Sequence, residues 1–589
     1  MTGGLLNIIS HGAANVILNG NASHTVFKQK YKKHTNFGLQ KFRIDYRGQR
    51  RLQTSTESVM EFTIPRYGDL VWDTYVLITL PHIFSSVYWN QQRKNSQDTS
   101  GSFVPYDFRW IDELGTSMIR EVEITIGSAT MARYSGEYLS ILNSRDNNAT
   151  RSELWNRMTG NIDEVKNPAY ANHRQGVYPT TVYLEDDEGS VQPEPSIRSR
   201  QLVVPLEPWF GGESHMAFPL VSLQNQEMKI RIRFRPVEEL FRVRNVIDPS
   251  FQFMYVAPNQ NIPEFQIQRF LYPPTDVSAT EYNGISVGSA EFSKMPDSWN
   301  ADIHLLSTYV FLEEDEQKWF AGREQQYLVQ DVFEYEFHHV QGSRRIDIDS
   351  RDCVSNFMWR FRRDDVAVRN EWSNYTNWDY QDRQPVTPQL QNPYATIPYH
   401  TDVSYQSVLV NTFENLANWE ITNNTLQSQQ LHTQPPITIA GLANQKEILV
   451  DMALLMDGKY RENVFPLEIY RFVEAYSRGN KVGGNLKDGV YLYSFATRMQ
   501  RHAPHPTGAM NLNKFQKIEF EFNTINPPPN PRPPYENICE TDENGNVFVI
   551  GVRQNVWQQY MYGYDLRVFE ERYNLLRIMG GTAGLMFAR

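Results

Sequence analysis

The sequence contains few residues whose types and spacing could support chemistry. His502 and His505, in the stretch RHAPHP, stand close enough to chelate a metal ion, but no cysteine or carboxylate lies near them. Asp347, Asp349 and Asp352 are spaced like half of a calcium-binding loop that lacks its glycine and its closing glutamate. We therefore expect both clusters to be exposed loops or turns, with no metal, no cofactor and no catalytic residue among them.

Sequence signatures of enzymes are scarce as well. The chain has no HExxH, no CxxC and no P-loop of the GxxxxGK type. The glycine-rich stretch 579–584 has the wrong spacing for a dinucleotide loop and predicts a close-packed terminal turn. Paired carboxylates for sugar hydrolysis remain open at this point, because their geometry is three-dimensional. The sequence therefore favours a structural or binding role and not an enzyme.

Charge and cysteine content narrow the class of protein further. The net charge is −11, whereas a protein that coats nucleic acid needs surplus cations to neutralise phosphates, so no direct nucleic-acid contact is expected. Cys353 and Cys539 are the only cysteines, which cannot form a disulfide framework and fit a reducing compartment. No run of 18 apolar residues predicts a membrane-spanning helix.

The N-terminal segment has an unusual charge pattern. Residues 1–27 contain no Asp, Glu, Lys or Arg, and lysines follow at positions 28, 30, 32 and 33. A signal peptide carries its positive charge before its apolar stretch, so this order argues against one. We expect a neutral arm that packs against another surface.

The elements that would position any site are predicted to be mainly strands. Residues 228–235 (MKIRIRFR), 121–126 and 517–522 alternate apolar with charged or polar side chains, which indicates strands with one buried face. Residues 71–80 are almost continuously apolar and fit a strand buried on both faces. Many short strands, with an aromatic content of 13%, indicate sandwiches, and jelly rolls are among the options.

Helical signals are few, and the connections between elements are long. Residues 151–158 and 315–330 are candidate helices, the second with an acidic first turn. Residues 146–200, 364–445 and 524–546 are predicted to be long loops. Their aromatic side chains indicate that they fold against neighbouring elements.

Six stretches are more specific than any strand or turn pattern. They are residues 3–37 (ending YKKHTNF), 115–139, 155–161 (WNRMTGN), 205–234, 489–515 (GVYLYSFATRMQRHAPHPTGAMNLNKF) and 566–589 (LRVFEERYNLLRIMGGTAGLMFAR). In this order they resemble the major capsid proteins of the nucleocytoplasmic large DNA viruses. The sequence departs modestly from the family pattern at residues 509–510 and 224–226, and the predicted loops 364–445 and 524–546 have no counterpart that aligns.

The resemblance implies an all-β chain of two consecutive eight-stranded antiparallel jelly rolls with long loop insertions. The expected organisation is an N-terminal arm at the capsomer base (1–36), a first jelly roll (37–240), a linker (241–264) and a second jelly roll (265–589) with large insertions near 364–445 and 524–546. The insertion at 364–445 is expected at the outward tower of the second roll, because a polar loop backbone is not easily buried.

The resemblance also implies a function. The chain is expected to form a homotrimer of pseudo-hexagonal outline, assembled in the cytoplasm of the host cell. Such capsomers contact neighbouring capsomers and minor capsid proteins and build the icosahedral shell of the virion over an internal membrane. Outward loops can carry glycans, and the chain has sequons at Asn21, Asn148, Asn374 and Asn423.

Two other functions stay open. The first is a minor capsid or scaffold paralogue with the same jelly-roll fold. The second is a β-sandwich that binds polysaccharide, with Trp372 and Trp378 as a sugar platform. The second explains the aromatic loops but not the six ordered stretches.

Overall fold

Antiparallel strands dominate the structure, a computed structural model. It describes residues 12–28, 31–85, 107–176, 178–179, 181–185, 191–244, 255–274, 281–282, 284–381, 446–479, 486–499, 501, 505–526, 535–541, 547–554 and 562–587. The strands fall into two halves that follow each other along the chain.

The first half is built around two facing sheets, one of five strands and one of four. Its strands are β1 (Phe37–Asp45), β2 (Ser58–Thr63), β3 (Leu70–Thr79), β4 (Phe108–Trp110), β5 (Ile119–Ile126), β6 (Ala129–Tyr134), β7 (Val182–Glu185), β8 (Val191–Glu194), β9 (Gln201–Pro205), β10 (Phe218–Pro219), β11 (Met228–Phe234), β12 (Phe241–Arg244), β13 (Tyr255–Val256), β14 (Glu281–Tyr282), β15 (Ile285–Ser286) and β16 (His304–Leu312). One sheet has the order β1-β16-β3-β10, with β9 also on β3, and the other has the order β2-β11-β5-β6.

The second half repeats this arrangement. Its strands are β17 (Gln325–Val340), β18 (Ser343–Asp347), β19 (Cys353–Arg363), β20 (Leu449–Met456), β21 (Lys459–Pro466), β22 (Val490–Ser494), β23 (Met510–Asn511), β24 (Ile518–Thr524), β25 (Tyr535–Thr541), β26 (Val547–Gln554), β27 (Tyr564–Met579) and β28 (Thr582–Leu585). One sheet has the order β17-β27-β19-β22, and the other has the order β18-β24-β20-β21.

The two halves have the same strand order. If the main strands of each half are numbered along the chain from one to eight, one sheet reads 1-8-3-6 and the other reads 2-7-4-5 in both halves. This is the order of a jelly roll, so the predicted fold class, two consecutive antiparallel jelly rolls, is confirmed. The duplication is invisible in the sequence because topology is repeated while the side chains differ.

The boundary between the halves lies further along the chain than the sequence suggested. Strand β16 pairs with β1 over its whole length and with β3 on its other side. The first roll is therefore incomplete before Leu312, and the expected linker at 241–264 does not separate the strands of the two halves. Proline-rich turns near 236 and 258 mimic a linker, although the eighth strand has still to close the sheet.

The alternating stretches form strands as predicted. In β11, Met228, Ile230, Ile232 and Phe234 are buried, while Lys229 pairs outward with Glu61 across the sheet. The stretches 121–126 and 517–522 lie in β5 and β24, and residues 71–80 coincide with β3, which is buried on both faces apart from a few half-buried positions. Apolar side chains alternate with polar ones in these strands because one face of each strand packs against the core.

Helices are short connections between strands. They are α1 (Ala13–Asn19), α2 (Leu114–Ser117), α3 (Gly136–Asp146), α4 (Ala149–Thr159), α5 (Asp163–Lys166), α6 (Gln268–Leu271), α7 (Glu314–Gly322) and α8 (Glu474–Arg478). The predicted helix at 151–158 is confirmed as α4, inside a stretch that was predicted to be a loop. The helix predicted at 315–330 ends at Gly322, because residues 325–330 pair with β27. No helix in the described ranges is long and apolar enough to cross a membrane.

In the sheet β17-β27-β19-β22, here called the wall, strands β19, β22 and β27 are largely buried on both faces, whereas the edge strand β17 is partly exposed. Phe357, Trp359 and Phe361 of β19 point into the core of the second half. Met358 and, on β27, Phe569 point the other way and join the apolar core of the first half. The wall therefore belongs to both cores, so the two rolls pack as one body.

We predict that Phe520→Ala in β24 lowers the free energy of unfolding by about 3–5 kcal/mol. The Phe520 ring packs 5.3 Å from the ring of Phe357 and 5.5 Å from that of Trp359, measured between centroids, so truncation leaves a cavity that rigid neighbours cannot fill. Urea denaturation at fixed chain concentration measures the loss. The control Arg344→Ala, at an exposed position on β18, should change stability by less than about 0.5 kcal/mol. Equal losses in both variants would contradict this core assignment.

Candidate functional site: the seam between the two halves

The metal candidates of the sequence do not converge in the structure. Asp347 forms an ion pair with Lys517, whose Nζ lies 3.1 Å from its carboxylate. His505 is exposed, and His502 lies outside the described residues. Within the described part of the chain, no group of three or more histidine, cysteine, aspartate or glutamate side chains could hold a metal ion.

The sequence also contains one spacing typical of hydrolases that was not recognised from the motifs above. Residues 284–288 read GISVG, which has the GxSxG spacing of a nucleophile elbow. That motif works on a sharp turn between a strand and a helix. Here Ser286 is the last residue of β15, which pairs with β14 in a hairpin whose strands are two residues long, and the Ser286 side chain is exposed. The spacing is therefore a coincidence of sequence.

The glycine-rich stretch 579–584 forms the predicted turn, but Met579, Gly580 and Thr582 are exposed, so the turn is not close-packed. It ties β27 and β28 to the first half. The turn joins β27 to β28 through Gly580 and Gly581, both with positive φ. The Asn225 backbone N–H donates to the Gly581 carbonyl oxygen at 3.0 Å, and its side-chain amide donates to the Gly580 carbonyl at 3.2 Å. The Ala583 N–H donates to Gln226 Oε1 at 2.9 Å. Two of the six ordered sequence stretches thus meet here.

The seam, where the wall meets α3 and neighbouring loops of the first half, centres on one carboxylate. Glu137 in the first turn of α3 accepts hydrogen bonds from Arg360 Nε and Nη2 at 2.6 and 3.0 Å, and from Arg567 Nη1 at 2.8 Å. Arg360 and Arg567 are direct cross-strand partners on β19 and β27. Like charges opposite each other destabilise a sheet. The first half supplies the carboxylate that both arginines share, and Glu334 of β17 lies a further 3.3 Å from Arg567.

The sequence Ser135-Gly136-Glu137 places that carboxylate. The Ser135 hydroxyl oxygen accepts a hydrogen bond from the Tyr138 N–H and caps α3. Gly136 allows the helix to start against its neighbour, because a Cβ there would lie 2.0 Å from the carbonyl oxygen of Thr116. The Ser135 N–H also donates to Glu334 of β17 at 2.7 Å. The start of α3 is therefore tied to the wall by backbone as well as by side chains.

Glu137 is held in its ionised form. Burial by itself raises the pKa of a carboxyl group, but the guanidinium groups of Arg360, Arg362 and Arg567 outweigh burial and hold the pKa of Glu137 well below its ordinary value of 4.5. The side chain is almost completely buried, so solvent screens these contacts little.

A second carboxylate repeats the arrangement from the opposite direction. Glu571 of the wall accepts hydrogen bonds from Tyr138 Oη at 2.7 Å, from Arg145 Nη1 at 2.9 Å and from Asn356 Nδ2 at 2.8 Å. Tyr138 and Arg145 belong to α3. Burial opposes ionisation, but Arg145 and these hydrogen bonds lower the pKa of Glu571. Helix α3 thus places its own carboxylate, Glu137, beside arginines of the wall, and its Tyr138 and Arg145 donate hydrogen bonds to a carboxylate of the wall, Glu571.

A third cluster lies just after β19. Asp365 accepts paired hydrogen bonds from Arg363 at 2.9 and 2.6 Å and from Arg369 at 3.0 and 2.7 Å. All three side chains are buried, and the two guanidinium groups lower the pKa of Asp365 against the effect of burial. Bidentate geometry makes these among the stronger ion pairs that a protein forms.

This cluster corrects the prediction for the stretch 364–445. Residues 364–381 are mostly buried and lie against the first half, whereas residues 382–445 lie outside the described part of the chain. Asn370 Nδ2 donates to the carbonyl oxygens of Glu238 and Phe241 at 2.8 and 2.9 Å, and Trp372 Nε1 donates to that of Glu239 at 2.8 Å. A polar loop can be buried here because its side chains donate hydrogen bonds to backbone carbonyl oxygens of the first half.

The buried ion pairs of the seam hold the two halves of the chain together. A general acid or base needs a pKa near the working pH and a site for substrate. Glu137, Glu571 and Asp365 are instead held ionised, and each is surrounded by two or more donors from the protein itself. The arrangement fixes the relative position of the two rolls.

One stretch of the sequence carries a signal for the seam that the strand patterns alone did not reveal. Residues 357–362 read FMWRFR, in which aromatic side chains alternate with Met358, Arg360 and Arg362. Such a period normally indicates arginines in solvent, as in β11. In β19 both faces are buried, and the first half supplies one carboxylate, Glu137, to the arginines on this strand. That partner is more than 200 residues away in the chain.

Comparisons with known proteins agree with this architecture. Residues 25–313 match the family described as major capsid protein N-terminus, and residues 316–584 match the family described as large eukaryotic DNA virus major capsid protein. The major capsid protein of Phaeocystis pouchetii virus is 22% identical over 622 residues, and the alignment covers all of both chains.

Solved structures share the fold. A chain of the PBCV-1 virus capsid superposes with a TM-score of 0.54 at 16% identity, covering 96% of this chain and 100% of that one. The Faustovirus major capsid protein superposes with a TM-score of 0.54 at 10% identity, covering 98% of this chain and 96% of that one.

Two jelly rolls of identical strand order, joined through a shared wall, define a double jelly-roll capsid protein. The two matching family regions meet between residues 313 and 316, where β16 has just completed the first roll. The chain belongs to the major capsid protein family of large eukaryotic DNA viruses. It is a structural protein of the virion that assembles with other capsid subunits, and its relatives are not enzymes.

We predict that Glu137→Gln lowers the free energy of unfolding by about 3–5 kcal/mol at neutral pH, because it removes the carboxylate that pairs with the fully buried Arg360 and leaves Arg567 with only its longer contacts to Glu334 and Glu336. The depressed pKa of Glu137 means that its contribution is fully present above the unfolded value of about 4.5 and is lost as pH falls towards the folded value. The difference between wild type and variant should therefore be constant above about pH 5 and shrink below it. Denaturation curves at a series of pH values measure it.

The matched control is Glu521→Gln, which removes a carboxylate that pairs with Arg345 at the surface. It should cost less than about 1 kcal/mol, because solvent screens an exposed ion pair. A Glu137→Gln effect no larger than that of the control would refute the central role of this contact.

Proposed function

We propose that three copies of the chain close into a trimer of pseudo-hexagonal outline, and that these capsomers tile an icosahedral shell. The observation that supports this proposal is that the two rolls have the same strand order. The ion pairs of the seam hold the rolls side by side. One rigid chain presents two similar sandwiches, so a cyclic trimer presents six around its axis. A closed ring of this kind fills a hexagonal lattice without needing six identical subunits.

Exposed apolar side chains on the second roll support contacts between subunits. They lie on β20, on β21, on the π-helical turn Ile469–Val473 and on α8. They comprise Val450, Tyr460, Val464, Phe472, Val473 and Tyr476. Tyr476 is 92% exposed in the single chain. Apolar surface of this kind usually marks a protein interface.

The internal membrane, the minor capsid proteins and assembly in the host cytoplasm are part of the same proposal. The net charge of −11 supports a shell that does not touch the genome directly. Glycans on outward loops are proposed as well, but not at Asn374, because its side chain is 1% exposed and donates to the Trp378 carbonyl oxygen. Asn423 lies outside the described residues.

The rival functions are weakened to different degrees. The sugar platform requires the aromatic side chains of residues 372–380 to face solvent, but Trp372 and Trp378 are half-buried, and Tyr375 and Tyr380 are buried. A minor capsid or scaffold paralogue would share the fold, so only the assembly state separates it from the proposed capsomer.

We expect purified chain to form a stable particle of about 200 kDa, three times the 68.7 kDa of one chain. Light scattering coupled to gel filtration measures the mass, and negative-stain microscopy should reveal hexagonal outlines. A monomer at micromolar concentration and neutral pH would argue against the capsomer. Other oligomers without hexagonal outline would favour the paralogue.

The N-terminal arm is proposed to act between capsomers. Its described part, residues 12–28 and 31–36, precedes β1, and Val26 and Phe27 are 86% and 99% exposed. A neutral strip with bare apolar side chains gains free energy when a neighbouring subunit or minor protein covers it. The lysines that follow can contact acidic partners or anionic lipid headgroups at the base.

Deletion of residues 1–27 should leave the trimer intact and impair the formation of closed shells. A sharper pair is Phe27→Ser, which removes the apolar side chain, and Phe27→Leu, which keeps it. Sedimentation and electron microscopy of assembly reactions should give fewer closed particles for Phe27→Ser than for Phe27→Leu. Normal shells from the truncated chain would overturn the role of the arm.

A further inference from the structure

A polar cavity of about 120 Å³ lies in the seam. It is bordered by the start of α3, by Arg362 of β19 and by Arg567 of β27, together with Arg235 and Trp372. At about 30 Å³ per molecule, this is room for roughly four waters or for one tetrahedral oxyanion. Arg120 and Glu336 also line the cavity, and both are exposed in part, so the space can exchange with solvent.

Arg362 is the least compensated charge around this cavity. Its side chain is 9% exposed, and its Nε has no hydrogen-bond partner among the described residues. Its Nη1 donates to the Trp372 carbonyl oxygen at 3.3 Å and lies 3.8 Å from Glu137, which already accepts from two other arginines. A buried guanidinium normally engages a carboxylate of its own.

Electrostatics around Arg362 point the same way. Burial, followed by the neighbouring Arg360, lowers the pKa of Arg362 to about 10. A guanidinium keeps its charge at neutral pH even so, and therefore remains a cation in a site that penalises cations. An anion in the cavity would relieve this penalty.

Other donors border the same space. Arg235 and Arg567 each pair with carboxylates through their terminal nitrogens, but their Nε groups have no partner in the described part of the chain. Ser135 and Gly136, at the N-terminus of the eleven-residue helix α3, form another part of the lining. The positive end of a helix dipole favours an anion.

The carboxylates that line the cavity do not make it a cation site. Glu113 pairs with Lys487 at 2.7 Å, and Glu137 with Arg360 at 2.6 Å. Glu336 lies 3.8 Å from Arg567 at the open rim. Each of these carboxylates therefore has a cation within 4 Å, whereas Arg362 shares Glu137 with two competitors.

We propose that this cavity binds a tetrahedral oxyanion of the inorganic phosphate class, held chiefly by the guanidinium group of Arg362, and that the anion stabilises the seam. The planar fork of a guanidinium matches phosphate geometry better than it matches a spherical halide. The ligand links residues of both rolls, so it strengthens the contact that sets their relative position.

The test uses the full chain after exhaustive dialysis into phosphate-free and sulfate-free buffer. Inorganic phosphate is titrated in while sodium chloride keeps the ionic strength constant, and the midpoint of thermal unfolding is recorded. We expect a saturable rise of about 2–4 °C at saturating phosphate. Arg362→Gln should abolish the rise, and Arg362→Lys, which keeps the charge without the fork, should reduce it.

The matched control is Arg345→Gln, which removes an arginine at the surface of the second roll and should respond to phosphate like wild type. If Arg362→Gln fails to fold, isothermal titration of wild type and Arg362→Lys with phosphate decides the matter. No saturable response beyond that of chloride at equal ionic strength would overturn the proposal. So would an equal response in wild type and Arg362→Gln.

Discussion

The rigid relation between the two jelly rolls depends on one buried contact, in which Glu137 of the first roll sits between Arg360 and Arg567 of the second. The two arginines are opposite each other on adjacent strands, so the wall carries a like-charge pair at its centre. Within the second roll, Glu334 and Glu336 of β17 lie 3.3 and 3.8 Å from Arg567, whereas Arg360 has its ion pair with Glu137 of the first roll. The carboxylate on α3 therefore completes the neutralisation of the two arginines on the wall.

Buried ion pairs seldom add much stability over well-packed apolar residues, but they penalise wrong geometries severely. An apolar seam would tolerate a small slide or rotation of one roll against the other. Here a displacement of the start of α3 would leave several charges unpaired at once, in the clusters around Glu137 and Glu571. The seam therefore contributes orientation more than affinity, and a shell built from repeated capsomers needs a subunit of fixed shape.

The sequence predicted the parts of this fold that are governed by one buried face. The stretch 228–235 alternates strictly, and it forms β11 with its apolar side inward, because a strand between a core and solvent must show this period. The same logic fails for β19, where Arg360 and Arg362 look like solvent positions and are buried. What buries them is α3, which no local pattern connects to β19.

The boundary between the rolls and the stretch 364–381 were mispredicted for a related reason. Strand β16 follows a long irregular stretch and completes a sheet that began at Phe37, so turn signals near 241–264 marked a connection inside the roll and not its end. Residues 364–381 read as a polar loop, and they are polar because they satisfy buried carbonyls of the first half. Their polar composition reflects the hydrogen bonds that they make to the first half, and a single sequence does not show which groups those partners are.

The two rolls share a strand order, but their outer surfaces have diverged in a way that suits different surroundings. On the first roll, the outward side chains of β2, β5 and β11 form cross-strand ion pairs such as Lys229 with Glu61 and Arg233 with Glu121, a pattern typical of a solvated face. The corresponding sheet of the second roll also has such a pair, Arg345 with Glu521, but its β20 and β21 strands expose Val450, Tyr460 and Val464. In the proposed trimer the two rolls alternate around the axis, so unlike surfaces would stand at equivalent positions. One chain with two different rolls would then keep the apolar strands β20 and β21 apart from the charged face of the first roll, a division that six identical single rolls could not achieve.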